Sequence, residues 1–278
     1  MKKCSYIISS IGLSTKLEEL IKLLTINLSD DELILVDNSE KGILKEKYFN
    51  NSKIKYVHEE NKGSSNARNR GASESKNELL IFMDDDIIPS TSFFKKLKKY
   101  KEIEYINSII GGKIIVNNIP KYIPSKYDYF VGKKDFGSSL ITLPKYSYLG
   151  GCLLIVDKEA FITLGGFNNK FGHNGNEIGS NEDVLFQDIA RKNKFNVIYD
   201  PEIACEHFWN GSKDTITKKI AIQGISDCLL DKKHHKIRGI LKLIKYVVFI
   251  NIKKKSQNIN DKFDVVRYKK YVETYRNK

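Results

Sequence analysis

Three consecutive aspartates, Asp84, Asp85 and Asp86, follow directly on the apolar run ELLIFM. Carboxylates crowded at the end of a buried strand repel one another unless a cation neutralises them, and oxygen ligands suit hard divalent ions. Such an ion commonly takes phosphate oxygens to complete its shell; the bland alternative is a solvated acidic turn before Pro89. A second acidic pair, Glu182 and Asp183, opens the helical run NEDVLFQDIARKN, where carboxylates also complement a helix dipole. Asp37 ends the apolar run ELILV, a natural place for a turn former, and His207 closes VIYDPEIACEH, as a packed strand-end residue or a ligand. Cys4, Cys152, Cys205 and Cys228 have no CxxC pair and no metal-ligand spacing. They read as small buried hydrophobes in a reducing compartment, and no side chain stands out as a nucleophile.

These residues need a scaffold, and the first hundred positions alternate strand and helix signals. CSYIISSIG reads as a first strand rather than a signal peptide, because charged residues follow it at once. STKLEELIKLLTI carries Leu17, Leu20, Ile21 and Leu24 at helical spacing, with Ser14 or Thr15 as N-cap. DELILVDNSE and SKIKYVHEE are strands, NKGSSNARNRGASESK is a loop running into a helix, and ELLIFMDDDIIP is a buried strand. That order predicts a mainly parallel sheet covered by helices, with ligands at the carboxyl ends of its strands. Farther on, INSIIGGKIIV is a strand and KYSYLGGCLLIVDKEAFITLGGF is strand, helix and turn. Asn181 is placed to cap the NEDVLFQDIARKN helix, and FNVIYDPEIACEHF gives one or two short final strands.

The chain has 278 residues, 47 basic and 34 acidic, a net of +13, and it is 41% apolar. Such a composition excludes a disordered or collagenous chain, and no stretch reaches the roughly 18 apolar residues of a spanning helix. Up to Asn210 there are 29 basic and 28 acidic side chains; after it, 18 basic and 6 acidic, a net of +12. A neutral body with a basic tail suggests attachment to an anionic membrane surface rather than nucleic-acid binding. Within the tail, Arg238, Lys242 and Lys245 share one helix face, while Ile237, Ile240, Leu241, Ile244, Val247 and Val248 line the other. This is either a helix packed on its own domain with a solvated basic face, or an interfacial helix with Lys253, Lys254 and Lys255 at headgroup level.

Asp37 after ELILV, NKGSSNARNRG and IFMDDDIIP, in that order, resemble the nucleotide-sugar-binding half of family 2 glycosyltransferases with the GT-A fold. LGGCLLIVDKEAFITLGGF, NEDVLFQDIARK and VIYDPEIACEH resemble that family's acceptor half, so the resemblance covers residues 4–210. It implies a Rossmann-like α/β sheet flanked by helices: a donor half (1–110), an acceptor half (111–210) and a basic helical extension (211–278). It further implies a nucleotide site at Ser9, Asp37 (the base), Asn61, Gly63, Arg68 (near phosphate), Asn69, Asp84 (near the ribose) and Asp85. Manganese or magnesium would sit on Asp86, with Asp84 and His207 as further ligands. Gly150, Gly151 and Trp209 would meet donor sugar and acceptor, and Asp183, beside Glu182, would be the catalytic base. The implied reaction inverts configuration, moving a sugar from a nucleoside diphosphate such as UDP to a hydroxyl acceptor, a lipid-linked glycan among the candidates. It would serve surface polysaccharide or glycoconjugate synthesis, in the cytoplasm or peripherally on the inner face of the cytoplasmic membrane. The family's QxxRW element is missing, which speaks against a processive synthase. Two rivals are a sugar nucleotidyltransferase, for which SSIGLSTKLEE offers no triphosphate loop, and a catalytically silent sugar- or lipid-binding module on the same fold.

Overall fold

β1 (Cys4–Ser10), β2 (Glu32–Asp37), β3 (Lys55–His58) and β4 (Leu79–Asp84) form a parallel block, with β1 and β4 the near-continuous apolar runs expected of strands covered on both faces. The computed structural model describes residues 1–102, 107–117, 119–172, 180–209 and 211–276. Asn210, where the sequence divides body from tail, and Ile106, the start expected for the middle strand, lie outside the described residues. The chain divides into two compact units. One comprises Met1–Asn117, Gly132–Asn169 and Glu182–Trp209; the other Asn118–Val131, Lys170–Asn181 and Asn210–Lys278.

In the first unit, β5 (Ile87–Pro89), β6 (Ser108–Ile115), β7 (Ile141–Thr142), β8 (Leu153–Asp157) and β9 (Asn196–His207) join the parallel block. Among the described residues the result is a nine-stranded sheet ordered β3-β2-β1-β4-β8-β6-β9-β5, with β7 also paired to β9. Beyond β4 it is mixed: β8 runs antiparallel to β4 and β6, whereas β6 and β9 are parallel. Among the described residues six helices flank it: α1 (Thr15–Asn27), the single-turn α2 (Lys45–Tyr48), α3 (Ser64–Glu74), α4 (Thr91–Glu102), α5 (Lys158–Thr163) and α6 (Glu182–Lys192). Ser14 is the α1 cap, its hydroxyl accepting from Leu17 N at 3.0 Å. Strand alternation sorts the core into two layers. Tyr6 and Ile8 pack with Leu17, Leu20, Phe93 and Leu97 of α1 and α4, while Ile7 and Phe82 pack with Ala67, Phe161 and Phe186 of α3, α5 and α6.

The last strand is one twelve-residue element rather than two short ones. Its ladder to β6 breaks between Gly112 and Ile114, and Pro201, which has no N–H to donate, falls in the unpaired stretch. Gly112 is required there: a Cβ would lie 1.7 Å from Ile203 O and 2.5 Å from Asp200 O. Both are backbone atoms that cannot swing aside. Gly112→Ala is therefore expected to lower stability by at least the ~1–3 kcal/mol typical of overpacking, read as a shift in the urea midpoint. An unchanged midpoint would mean that β6 and β9 are farther apart than described.

In the second unit α7 (Lys213–His234), α8 (Lys236–Lys253) and α9 (Ile259–Arg276) pack together. Asp231 of α7 is fully buried and takes Arg238 Nε at 2.7 Å, Lys242 Nζ at 2.8 Å and the Tyr271 hydroxyl at 3.1 Å. Tyr246 of α8 stacks on Tyr268 of α9, with 3.8 Å between ring centroids. This corrects the sequence reading of the tail. Arg238 and Lys242 turn inward, and Val247 packs against the core of the unit; the face left outside carries Ile237, Ile240, Leu241, Ile244, Val248 and Ile252, all exposed, with Lys245 and Asn251 exposed among them. Periodicity separates two helix faces without saying which one is covered, and a buried carboxylate that must be paired decides it here.

Candidate active site

Parallel pairing sets the ends of three strands side by side. Ser9 lies opposite Asp84 across β1 and β4, and Ser10 lies opposite Asp37 across β1 and β2. Antiparallel pairing of β5 with β9 then carries His207 to the acidic triplet, with Phe208 N on Asp86 O at 3.0 Å and His207 Nε2 3.4 Å from Asp86 Oδ1. The Gly150–Gly151 turn is brought in from β8, since Asp84 N donates to Cys152 O at 3.0 Å. Gly151 in turn lies against the start of α6: a Cβ on it would be 2.9 Å from Asp183 Oδ2.

Arg68 joins the two acidic motifs. Its guanidinium is nearly fully buried, with Nη2 2.6 Å from Asp84 Oδ1 and Nη1 2.8 Å from Glu182 Oε1. Ser64, at the start of α3, also donates to Glu182 Oε1 at 3.3 Å. The sequence expectation sets Arg68 beside donor phosphate; in the structure its two terminal nitrogens lie on these two carboxylates. The acidic triplet likewise divides into three environments. Asp84 belongs to Arg68, Asp85 accepts from the Ser10 hydroxyl, and Asp86, the most open, stands beside His207. Burial pushes the Asp85 carboxyl up to about 6.

Asp183 is also partly buried. Burial and the neighbouring Glu182 push its carboxyl up to about 6, while Lys134 and Arg68 oppose the rise. Lys134, whose own amine burial pushes down, flanks the same glycine turn, since a Cβ on Gly150 would lie 3.3 Å from its Cγ. Sequence reasoning missed Lys134, which stands in an irregular tyrosine-rich stretch with no periodic signal. It also missed Asn38, whose side chain takes Gly63 N at 2.8 Å and donates to Glu59 O and Asn61 O. Asn38 thereby shapes the loop that leads into α3.

Asp37 is fully buried, and its oxygens accept from Ser39 N, Leu44 N and the Tyr56 hydroxyl, so it closes the turn after β2. Asn69 spends its amide on Phe167 N and O, fastening α3 to the loop after α5. Asn61 is exposed with its side chain on Glu59, Gly63 is buried at the N-cap of α3, and Trp209 is half-buried just beyond β9. Asn181 does not cap α6 with its side chain, which bonds to Gln223 and Asp227. The Cys152 thiol is pushed well above its usual value by the Cys205 thiol and by burial, which leaves it inert. A groove of about 410 Å³ beside the edge strand β3 contains none of the expected site residues.

The family model described as glycosyl transferase family 2 matches residues 7–165, more than half of the chain. The chain belongs to glycosyl transferase family 2. Among curated proteins it is 21% identical over 160 residues to a glucosyl-dolichyl phosphate glucuronosyltransferase of Haloferax volcanii (55% of this chain, 50% of that protein). It is 30% identical over 168 residues to a cholesterol galactosyltransferase of Borreliella burgdorferi (58% of this chain, 41% of that protein). The chain thus spans about half the length of the curated relatives it matches. Two solved structures share its fold. One is a mannosyltransferase of Pyrobaculum calidifontis in complex with GDP-Man and Mn2+ (TM-score 0.55, 12% identity, 98% of this chain and 70% of that one). The other is GalNAc-T7 with UDP, GalNAc and Mn2+ (TM-score 0.60, 16% identity, 99% of this chain and 57% of that one). The fold is GT-A, as the sequence motifs implied.

Proposed function

We propose that this family 2 member transfers a sugar from a nucleoside diphosphate, UDP foremost, to a hydroxyl acceptor with inversion of configuration. The observation that carries the reading is Arg68, which ties Asp84 at the end of β4 to Glu182 at the start of α6 and so sets the aspartate triplet beside Asp183. Asp183 then removes the acceptor hydroxyl proton, with Glu182 and Lys134 setting its charge. Gly150 and Gly151 let their turn close on Ile114 and Asp183, and its backbone meets the donor sugar and acceptor. Residues 1–110 act as the donor half, 111–210 as the acceptor half, and 211–278 as the basic extension. Ser9, Asn61, Gly63 and Asp85 surround the nucleotide, Asp37 holds the turn flooring the base, and Trp209 meets donor or acceptor.

A divalent cation fits Asp86 and His207. Among the described residues no three His, Cys, Asp or Glu side chains stand close enough to make a site alone, so donor oxygens would complete the shell. A carboxylate with an imidazole favours manganese over magnesium, and Asp84, two residues before Asp86, would be the further ligand. When bound, the ion would neutralise charge on the departing diphosphate. A lipid-linked acceptor is supported by the name of one curated relative, a glucosyl-dolichyl phosphate glucuronosyltransferase, and a lipid acceptor more broadly by that of the other, a cholesterol galactosyltransferase. That acceptor would place the enzyme at the inner face of the cytoplasmic membrane, in glycoconjugate or polysaccharide synthesis. No described helix is long and apolar enough to cross a bilayer.

Thermal melts with UDP, GDP and their sugars, with and without manganese, test this reading. One nucleoside diphosphate is expected to raise Tm more with manganese present, and Asp86→Asn to abolish that increment. A nucleotide effect without metal dependence, or an increment that survives Asp86→Asn, would move the ion elsewhere. Binding without any sugar transfer or hydrolysis would point to the silent module.

A further inference from the structure

We infer that α8 docks the protein on an anionic bilayer, lying in the interfacial plane with its exposed aliphatic stripe turned into the acyl boundary. Ile237, Leu241, Ile244, Val248 and Ile252 recur at the spacing of one helix face, with Ile240 beside them, and the six are 50–77% exposed. Among the described residues, exposed apolar side chains elsewhere do not form such a row along one helix face. A contiguous row of six marks a surface with an occupant.

The row cannot roll inward. Arg238 and Lys242 on the opposite side hold the buried carboxylate of Asp231, and Tyr246 is stacked on Tyr268. Turning α8 to cover the stripe would leave that buried charge without a cation, with the Tyr271 hydroxyl as its remaining donor. Exposure of the stripe is thus imposed by the packing of the unit.

Charge selects the occupant. Every charged residue of α8 is basic, Lys254 and Lys255 continue the series, and residues 211–278 carry a net of +12. A second copy laid on this face would bring like charges together, whereas anionic headgroups complement them. The stripe also lacks the tyrosine and tryptophan anchors typical of protein–protein interfaces. Eighteen residues make a rod of about 27 Å, suited to lie along a membrane surface.

Flotation of the full chain with vesicles of phosphatidylglycerol and phosphatidylcholine, against phosphatidylcholine alone, tests the inference. Binding is expected on the anionic vesicles, falling but persisting at high salt, because burial of the stripe is not screened. Leu241→Ser with Ile244→Ser, both on the outside of the fold, should keep the melting temperature and weaken binding about tenfold or more. Lys254→Glu with Lys255→Glu should weaken it mainly at low salt. No binding at low salt, or a serine variant that binds like the parent, overturns the inference. So does a dimer in sedimentation that the serine pair dissolves, because the occupant would then be a second copy. Flotation needs no turnover, so its failure would leave the proposed transfer reaction standing.

Discussion

Asp183→Asn is expected to cut sugar transfer by about 10²–10⁴ while leaving nucleotide affinity nearly unchanged, since general-base help is typically worth that factor. Asparagine keeps the shape and removes the proton acceptor. The residue lies against Gly151 and is not part of the Asp86–His207 pair proposed to hold the ion, so a loss confined to kcat is its signature. Its pH dependence follows from the same surroundings. Burial and Glu182 lift the carboxyl to about 6. A base works in its ionised form, so the rate should rise with pH through about 6 and level off above. Lys134 stabilises the ionised form, and Lys134→Met should therefore move the rising limb to higher pH. Steady-state kinetics on a soluble acceptor would measure all three effects. Normal turnover in Asp183→Asn would pass the role to Glu182, and an unmoved limb in Lys134→Met would remove the lysine from the mechanism.

How far the sequence reached depended on the range of the interaction. The apolar runs before Asp37 and Asp84, the Ser14 cap and the order of helices are local, and each is set by residues within one turn or one strand. Placement of the acidic triplet at a strand end was legible for the same reason. What the triplet does there was not. Asp84 pairs with a residue 16 positions away and Arg68 with one 114 positions away, and no local pattern announces either bond. Asn69 fits a loop motif, yet its partner Phe167 lies 98 residues on. The outward stripe of α8 was visible as periodicity, but its direction depended on Asp231, a single buried carboxylate on the preceding helix. β5 escaped notice because three residues ending in a proline carry no alternation, although they deliver His207 to Asp86.

Arg68 should be the least replaceable of these side chains. Its two nitrogens answer two carboxylates from different elements, and a planar fork does this while an ammonium cannot reach both in the same geometry. Arg68→Gln would leave Asp84 and the more buried Glu182 without a cation. Removing one partner of a buried pair typically costs about 3–5 kcal/mol. The expected order of stability is parent, then Arg68→Lys, then Arg68→Gln, measured by urea unfolding. Activity should fall further than stability. Once the guanidinium is gone, nothing described ties the start of α6 to the end of β4 through side chains with comparable strength, so Asp183 loses its fixed relation to the aspartate triplet. Arg68→Lys is therefore the informative variant: folded, with the manganese-dependent nucleotide melt retained because Asp86 and His207 are untouched, yet slow in transfer by at least an order of magnitude. If it instead loses the nucleotide melt and keeps its transfer rate at saturating donor, Arg68 acts on the phosphates after all, and its bonds to the two carboxylates are exchanged when the donor binds.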